Sequence, residues 1–211
     1  MTGIILSLLA AYVLGSIPTA VWVGKWFYGV DVRNEGSGNA GATNTIRVLG
    51  VKAGIPVLLT DVFKGYLAVI LVTKIMAWTG SADVPPLLEI AAGAAAVVGH
   101  TLPLFAGFRG GKGVATLLGV GLGLFPYAAW VAVAIFATVL IISKYVSLAS
   151  ITAGITFPLF VFFVFPAPHW SYNVLAVLVA IFLPFTHRKN IKRLITGTES
   201  KVNFSGNKKK K

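Results

Sequence analysis

The chain has no cysteine, and its 211 positions hold only 3 histidines and 6 acidic residues. Without cysteine, neither a disulfide scaffold nor a thiolate nucleophile is available. His100, His169 and His187 stand far apart in sequence. With no thiolates to join them, a transition-metal site is not expected, and no metal or other cofactor is anticipated. Charge is also scarce: 11% of residues are charged, against about 25% in a typical soluble domain.

What fills the space is apolar. Hydrophobic residues make up 56% of the chain, and the mean hydropathy is +0.84. The apolar runs are long and numerous enough to cross a bilayer repeatedly. They are continuous rather than alternating, which excludes a β-barrel. The expected fold is therefore an all-α, polytopic integral membrane protein. Met1 to Gly3 carry no side-chain charge before the first apolar run. A secretory signal would begin with a basic region, so this run reads as a retained first span with the N-terminus outside.

Spans are predicted at about 4–22, 53–76, 87–105, 114–125, 127–142, 148–164 and 172–185. The 114–143 stretch is too long for one comfortable span and short for two. Pro126 favours a break, which leaves a short helix of about 18 Å before it. The reading is thus seven segments, one of them short, in a single domain over 1–199, followed by a basic tail over 200–211.

This division gathers the cations. All of the 18 Lys and Arg residues except Lys74 can be assigned to one side, with Lys64 counted there as a residue that snorkels to the interface. The positive-inside rule makes that face cytoplasmic and puts the C-terminus there. A six-span reading, with 114–143 as one helix, would break the asymmetry. The net charge of +12 is thereby explained without nucleic acid, which is not an expected partner. The lysines at 208–211 read as a solvated tail touching anionic lipid head groups, or as an appended tag.

Three of the basic segments carry unusual polar and glycine content. Gly36-Ser37-Gly38-Asn39-Ala40-Gly41 has GxGxxG spacing, but the dinucleotide fingerprint also requires a βαβ unit, which does not fit between membrane helices. The physical content survives. Glycines let backbone N–H groups approach an anion, Ser37, Asn39, Thr43 and Asn44 add polar groups, and Arg47 offers a planar fork for phosphate. The plainer reading is a polar loop with a helix start capped at Asn44 or Thr45. Gly107 to Gly113 (GFRGGKG) fails as a nucleotide-hydrolysing P-loop, because Ala106 and Gly113 stand where that motif needs Gly and Ser or Thr. Gly110, Gly111 and Gly113 around Lys112, ahead of a helix start at Val114, still suit a phosphate.

The third segment begins at His187. His187 and Asn190 lie one helical turn apart and share a face, and His187 could bind phosphate or move a proton. Arg188, Lys189, Lys192 and Arg193 read as lipid-facing anchors. Ser147 and Ser150 flank a helix start and suit capping. Asp61 and Lys64, inside a span, are either functional or a mutual ion pair, and His100 suits a hydrogen bond between helices. Gly119, Gly121 and Gly123 suit close helix packing. The tryptophans at 22, 26, 78 and 170 read as interfacial belts.

Taken in order, Leu14–Ala20 (LGSIPTA), Gly29–Gly50, Asp61 with Lys64-Gly65, Gly99–Pro103, GFRGGKGVAT, Lys144–Ile151 (KYVSLASI) and His187–Glu199 resemble one family. It is the bacterial acyl-phosphate:glycerol-3-phosphate acyltransferases of the inner membrane. The resemblance covers nearly the whole chain, up to about Glu199. It implies a seven-helix enzyme with its active site at the cytoplasmic face. Such an enzyme moves a fatty acyl group from acyl phosphate to the sn-1 hydroxyl of glycerol 3-phosphate, giving lysophosphatidic acid and inorganic phosphate.

Both implied substrates carry phosphate, and one carries an acyl chain, which suits basic loops beside an apolar groove. No HxxxxD pair, GxSxG elbow or paired carboxylates stand out on the cytoplasmic face. Chemistry on a mixed anhydride can instead rest on positioning and electrostatic stabilisation. On this reading Lys112, Arg47, Ser150 and His187 hold phosphate groups. Ser37 and Asn39 arrange a backbone cradle with Gly36, Gly38, Thr43 and Asn44, and Asn190 donates to the acyl carbonyl oxygen. The expected partners are glycerol 3-phosphate, acyl phosphate and membrane lipids, and a monomer would suffice. An organophosphate transporter using the same loops is the alternative. It would need midplane polar residues and internal symmetry, of which the sequence has little.

Overall fold

A computed structural model of the protein describes residues 1–81 and 83–202. Within them all regular structure is helical: α1 (Thr2–Gly15), α2 (Thr19–Tyr28), α3 (Ala42–Leu49), α4 (Val51–Trp78), α5 (Pro86–Thr101), α6 (Val114–Leu124), α7 (Pro126–Ser143), α8 (Val146–Phe163), α9 (Trp170–Thr186) and α10 (Arg188–Ile195). Five spans are long and apolar enough to cross a membrane: Thr2–Tyr28, Val51–Trp78, Pro86–Ala106, Pro126–Ser143 and Val146–Phe163. The pair α9 and α10, bent by 60°, makes a sixth, and α6 is a shorter apolar helix. The lysines at 208–211 lie outside the described residues.

The helices touch through small residues where their backbones approach. A Cβ on Gly65 of α4 would collide with the Thr116 carbonyl of α6, and one on Gly119 with the Val62 carbonyl. Gly15 and Gly99 do the same between α1 and α5. Lipid tails are as apolar as the helix surfaces, so close packing of this kind supplies much of the association energy. The large apolar side chains that remain outward, such as Trp130, Ile142 and Phe163, suit a lipid surround.

The first span differs from the sequence reading. It runs past Trp22 to Tyr28, and it is interrupted at Ser16 to Pro18. Pro18 has no N–H and disfavours helical geometry at Ile17. Lys64 Nζ fills the gap, donating to the Ile17 carbonyl at 2.9 Å and pairing with Asp61 Oδ1 at 2.8 Å. Lys64 is therefore not a snorkelling residue, being only 2% exposed. Thr19 Oγ1 donates to the same Asp61 oxygen at 3.4 Å, and His100 Nδ1 stands 3.6 Å from it. This buried cluster joins α2, α4 and α5.

The long first loop also differs, because it contains α3. That helix starts at Ala42 with Gly41 as its cap, not at Asn44 or Thr45. Arg33 secures the loop, chelating Asp31 through Nε at 3.0 Å and Nη2 at 2.8 Å. Its Nη1 donates to the Ala106 carbonyl at 2.6 Å. The first basic loop is thus fastened to the second. The hydrogen bonds from Arg33 hold the Asp31 carboxyl well below the usual carboxylate range.

Candidate active site

The three polar segments meet at one cavity of about 590 Å³. Its polar end is lined by Gly36, Ser37, Asn39, Thr43, Asn44 and Arg47 from the first loop and α3. Lys112 and Gly113 come from the second loop, Ser150 from α8, and His187 and Asn190 from the end of the bundle. The starts of α3, α6 and α8 all border it, through Ala42 and Thr43, Val114 and Ala115, and Val146 and Ser147. The first N–H groups of a helix have no intrahelical partner and carry the positive end of its dipole. Three such ends border one cavity, and a helix N-terminus is a position suited to an anion.

Asn44 organises the first loop. Its Oδ1 accepts from Ser37 N at 2.8 Å and from Ser37 Oγ at 3.0 Å. Its Nδ2 donates to the carbonyls of Val32 at 2.7 Å and Glu35 at 3.1 Å. With four bonds made, this amide has no capacity left for a ligand. Asn44 is thus a positioning residue and not the phosphate ligand expected of it. Gly36 has φ +59, and a Cβ there would meet the Asn44 oxygen. Among the described residues, Arg47 has no hydrogen-bond partner, so its guanidinium is available to a ligand.

The second loop corrects another expectation. Gly110 and Gly111 do not line the cavity, and their N–H groups are already engaged. Gly110 donates to the Thr101 carbonyl and Gly111 to the His100 carbonyl, each at 3.1 Å. The glycines are required by contact: a Cβ on Gly111 would strike the His100 ring, and one on Gly110 the His100 carbonyl. Their role is to press the loop onto α5 and so aim Lys112. Gly38 is likewise outside the lining, in a turn with φ +72 whose N–H donates to the Glu35 carbonyl at 3.0 Å.

Lys112 Nζ donates a hydrogen bond to Asn190 Oδ1. Asn190 Nδ2 donates to Glu199 Oε1 at 2.6 Å, and Ser147 Oγ donates to the same oxygen at 2.7 Å. Arg193 Nε donates to Glu199 Oε2 at 2.7 Å. Burial works to raise the Glu199 pKa, but the bonds from Arg193, Asn190 and Ser147 outweigh it, and the carboxyl is held below its ordinary value. Burial pushes Lys112 down to about 8; Glu199 opposes this, while Arg193 and Arg47 add to it.

His187 is held at about 4, by burial first and then by the Lys112 charge. Its Nδ1 lies 2.8 Å from the Leu183 carbonyl. That nitrogen must carry the proton, which leaves Nε2 as an acceptor. His187 is therefore neutral near pH 7, so any phosphate contact it makes is without a charge of its own. Ser150 is buried and bonds back to the Val146 carbonyl at 2.9 Å. Its hydroxyl borders the cavity beside the α8 N-terminus.

Glu199, Ser147 and Arg193 belong to this site, although the sequence reading gave them no role in it. Arg193, expected to face lipid, instead pairs with Glu199. Asp61 and His100 also line the cavity, so two of the three histidines share it. The expected tail begins docked, with Ser200 in the lining and Val202 N donating to the Lys144 carbonyl at 2.8 Å. Among the described residues, no three His, Asp or Glu side chains come together as a metal site.

Comparison with known proteins agrees in one direction. The family profile described as glycerol-3-phosphate acyltransferase matches residues 5–197. A glycerol-3-phosphate acyltransferase of Fusobacterium nucleatum subsp. nucleatum is 43% identical over 197 residues, covering 93% of this chain and 97% of its own. One from Chlorobaculum tepidum is 42% identical over 221 residues, covering 93% and 95%. Among solved structures, PlsY (YgiH), an integral membrane glycerol 3-phosphate acyltransferase in its glycerol 3-phosphate form, superposes with a TM-score of 0.83 at 39% identity, over 95% of this chain and 96% of that one. Its lysophosphatidic acid form superposes with a TM-score of 0.80, also at 39% identity, over 95% of each chain. The chain belongs to the glycerol-3-phosphate acyltransferase family.

Proposed function

We propose that the protein transfers a fatty acyl group from acyl phosphate to the sn-1 hydroxyl of glycerol 3-phosphate, releasing lysophosphatidic acid and inorganic phosphate. One observation carries this reading: a single cavity joins a cluster of phosphate-binding groups to an apolar groove between α6, α7, α8 and α9. A phosphate group and an acyl chain could thus share one space.

The hydroxyl oxygen of glycerol 3-phosphate attacks the acyl carbonyl carbon. The bond from that carbon to the phosphate oxygen breaks, and phosphate leaves with the electron pair. The proton of the attacking hydroxyl ends on the departing phosphate, so no strong protein base is required. Arg47, Lys112 and the N-termini of α3, α6 and α8 hold the phosphate groups and stabilise charge as it shifts between them. Asn190 spends one Nδ2 hydrogen on Glu199 and has a second for the carbonyl oxygen. His187 Nε2 accepts from a substrate hydroxyl and orients it. Ser37 and Ser150 reach a phosphate by turning their hydroxyls away from Asn44 Oδ1 and the Val146 carbonyl, and Asn39 and Thr43 complete the rim.

The arrangement of cations supports seven spans in a bacterial inner membrane, with the N-terminus outside and the site and C-terminus at the cytoplasmic face. Proteoliposomes separate this reading from transport. With glycerol 3-phosphate outside and acyl phosphate in the bilayer, a new ester without net flux of glycerol 3-phosphate is expected. Net flux without ester would reject the acyltransferase.

A further inference from the structure

The cavity continues well past the polar cluster. On α6 it is lined from Gly113 to Phe125, on α8 from Ser147 to Phe157, and on the α9 side from His187 back to Leu175. α6 and α8 run away from the polar end and α9 returns toward it, so Phe125, Phe157 and Leu175 stand together at the far end. The depth is about 18 Å along α6 and about 15 Å along α8, at 1.5 Å per residue.

The far end is closed by aromatic rings. Phe125 meets Phe157 edge to face at 5.4 Å and Tyr172 at 5.6 Å, centroid to centroid. Tyr172 stands behind Phe125, and its hydroxyl donates to Glu89 Oε2 of α5 at 2.5 Å. Phe125 also sits at the corner between α6 and α7, fixed by Pro126 at the start of the next helix. Edge-to-face contacts on two sides, one anchored by a hydrogen bond, leave this ring little room to turn.

We propose that Phe125 sets the acyl-chain length the enzyme accepts, its ring serving as a fixed floor to the groove. The inference rests on the acyl-transfer reading above and deepens it. An extended alkyl chain advances about 1.3 Å per carbon for single bonds near 1.5 Å. A depth of about 15–18 Å therefore takes about 12–14 carbons below the polar end. A longer chain must buckle against Phe125 or leave its tip in the bilayer. Gly121, one helical turn before Phe125, lines the same groove, and a Cβ there would reach the Ala129 Cβ at 3.4 Å. Filling that position raises the floor by a turn.

The test is kcat/KM for acyl phosphates of about 10 to 20 carbons, at saturating glycerol 3-phosphate, in the wild type, Phe125→Ala and Gly121→Val. The wild type is expected to fall off beyond about 14 carbons. Phe125→Ala should raise the ratio of long-chain to medium-chain activity by about tenfold or more, and Gly121→Val should lower it by a similar factor. If Phe125→Ala does not fold, Gly121→Val decides alone. An active wild type with variants that keep its length profile, or that lose activity equally at every length, overturns the floor but leaves acyl transfer standing. A folded wild type that makes no ester at any length overturns both.

Discussion

Lys112 donates its hydrogen bond to Asn190 across a sequence separation of 78 residues, and Asn190 passes the link to Glu199. The relationship ties the glycine-rich loop before α6 to α10 and to the segment beyond it. It also gives Lys112 a defined direction. An ammonium on a flexible stem is a poor positioning device until something holds it. Here the Asn190 amide holds it, and the carboxylate of Glu199 holds the amide.

In the proposed mechanism Lys112 must be charged to stabilise phosphate. With its pKa brought down to about 8, the charged form is lost as pH rises through that value. The basic limb of kcat/KM against pH should therefore fall near pH 8. In Lys112→Arg, which stays charged, that limb should move to higher pH. Lys112→Ala should lose about 10²–10³-fold in kcat/KM. Steady-state rates across pH check both points.

Glu199 accepts from Ser147, Asn190 and Arg193. Because its folded pKa is lowered, its contribution to stability is present above the ordinary carboxylate range and is lost as pH falls through it. Glu199→Gln should melt lower than wild type at neutral pH, since its amide NH2 must then face either Arg193 or the Asn190 and Ser147 pair, all of them donors. The gap should narrow as the buffer is acidified. Thermal unfolding in detergent at several pH values measures it.

Asp61 and Lys64 are both buried in α4 and paired at 2.8 Å. Asp61→Asn removes the charge that compensates Lys64, a change worth about 3–5 kcal/mol in buried pairs. The melting temperature should drop by more than about 6 °C. Adding Lys64→Met should recover part of the loss, because no buried charge is then stranded. A double variant no more stable than Asp61→Asn alone would show that Lys64 matters chiefly for the Ile17 carbonyl.

Gly111 packs against the His100 ring. Gly111→Ala should displace the loop that carries Lys112 without unfolding the bundle. A shift of about 1 Å at Lys112 is expected to cost about 10²-fold in kcat/KM. Gly80, at φ +85 with open space around it, serves as the control: Gly80→Ala strains its own turn and should lower the melting temperature while leaving the rate unchanged.

These particulars mark where the sequence could and could not be read. The meeting of Ser37, Arg47, Lys112, His187 and Asn190 followed from charge asymmetry, because loops on one side of a small bundle have little room to be apart. The use of Gly110 and Gly111 as packing contacts could not be read, since a glycine that exposes its N–H and one that spends it look alike in a string. Glu199 was invisible for a related reason: its role consists of three donors that come from Ser147, Asn190 and Arg193. The break at Pro18 was legible in principle from LGSIPTA. Its compensation by Lys64 was not, because it depends on how α1, α2 and α4 pack.

The central claim is acyl transfer from phosphate to phosphate-bearing alcohol in this one cavity. Its most direct test incubates the purified wild-type protein with a long-chain acyl phosphate and labelled glycerol 3-phosphate, then measures lysophosphatidic acid and inorganic phosphate together. The account predicts equal amounts of both products, and none when acyl-CoA replaces acyl phosphate. Folded protein that binds glycerol 3-phosphate yet forms no ester would contradict it, as would ester formed equally well from acyl-CoA.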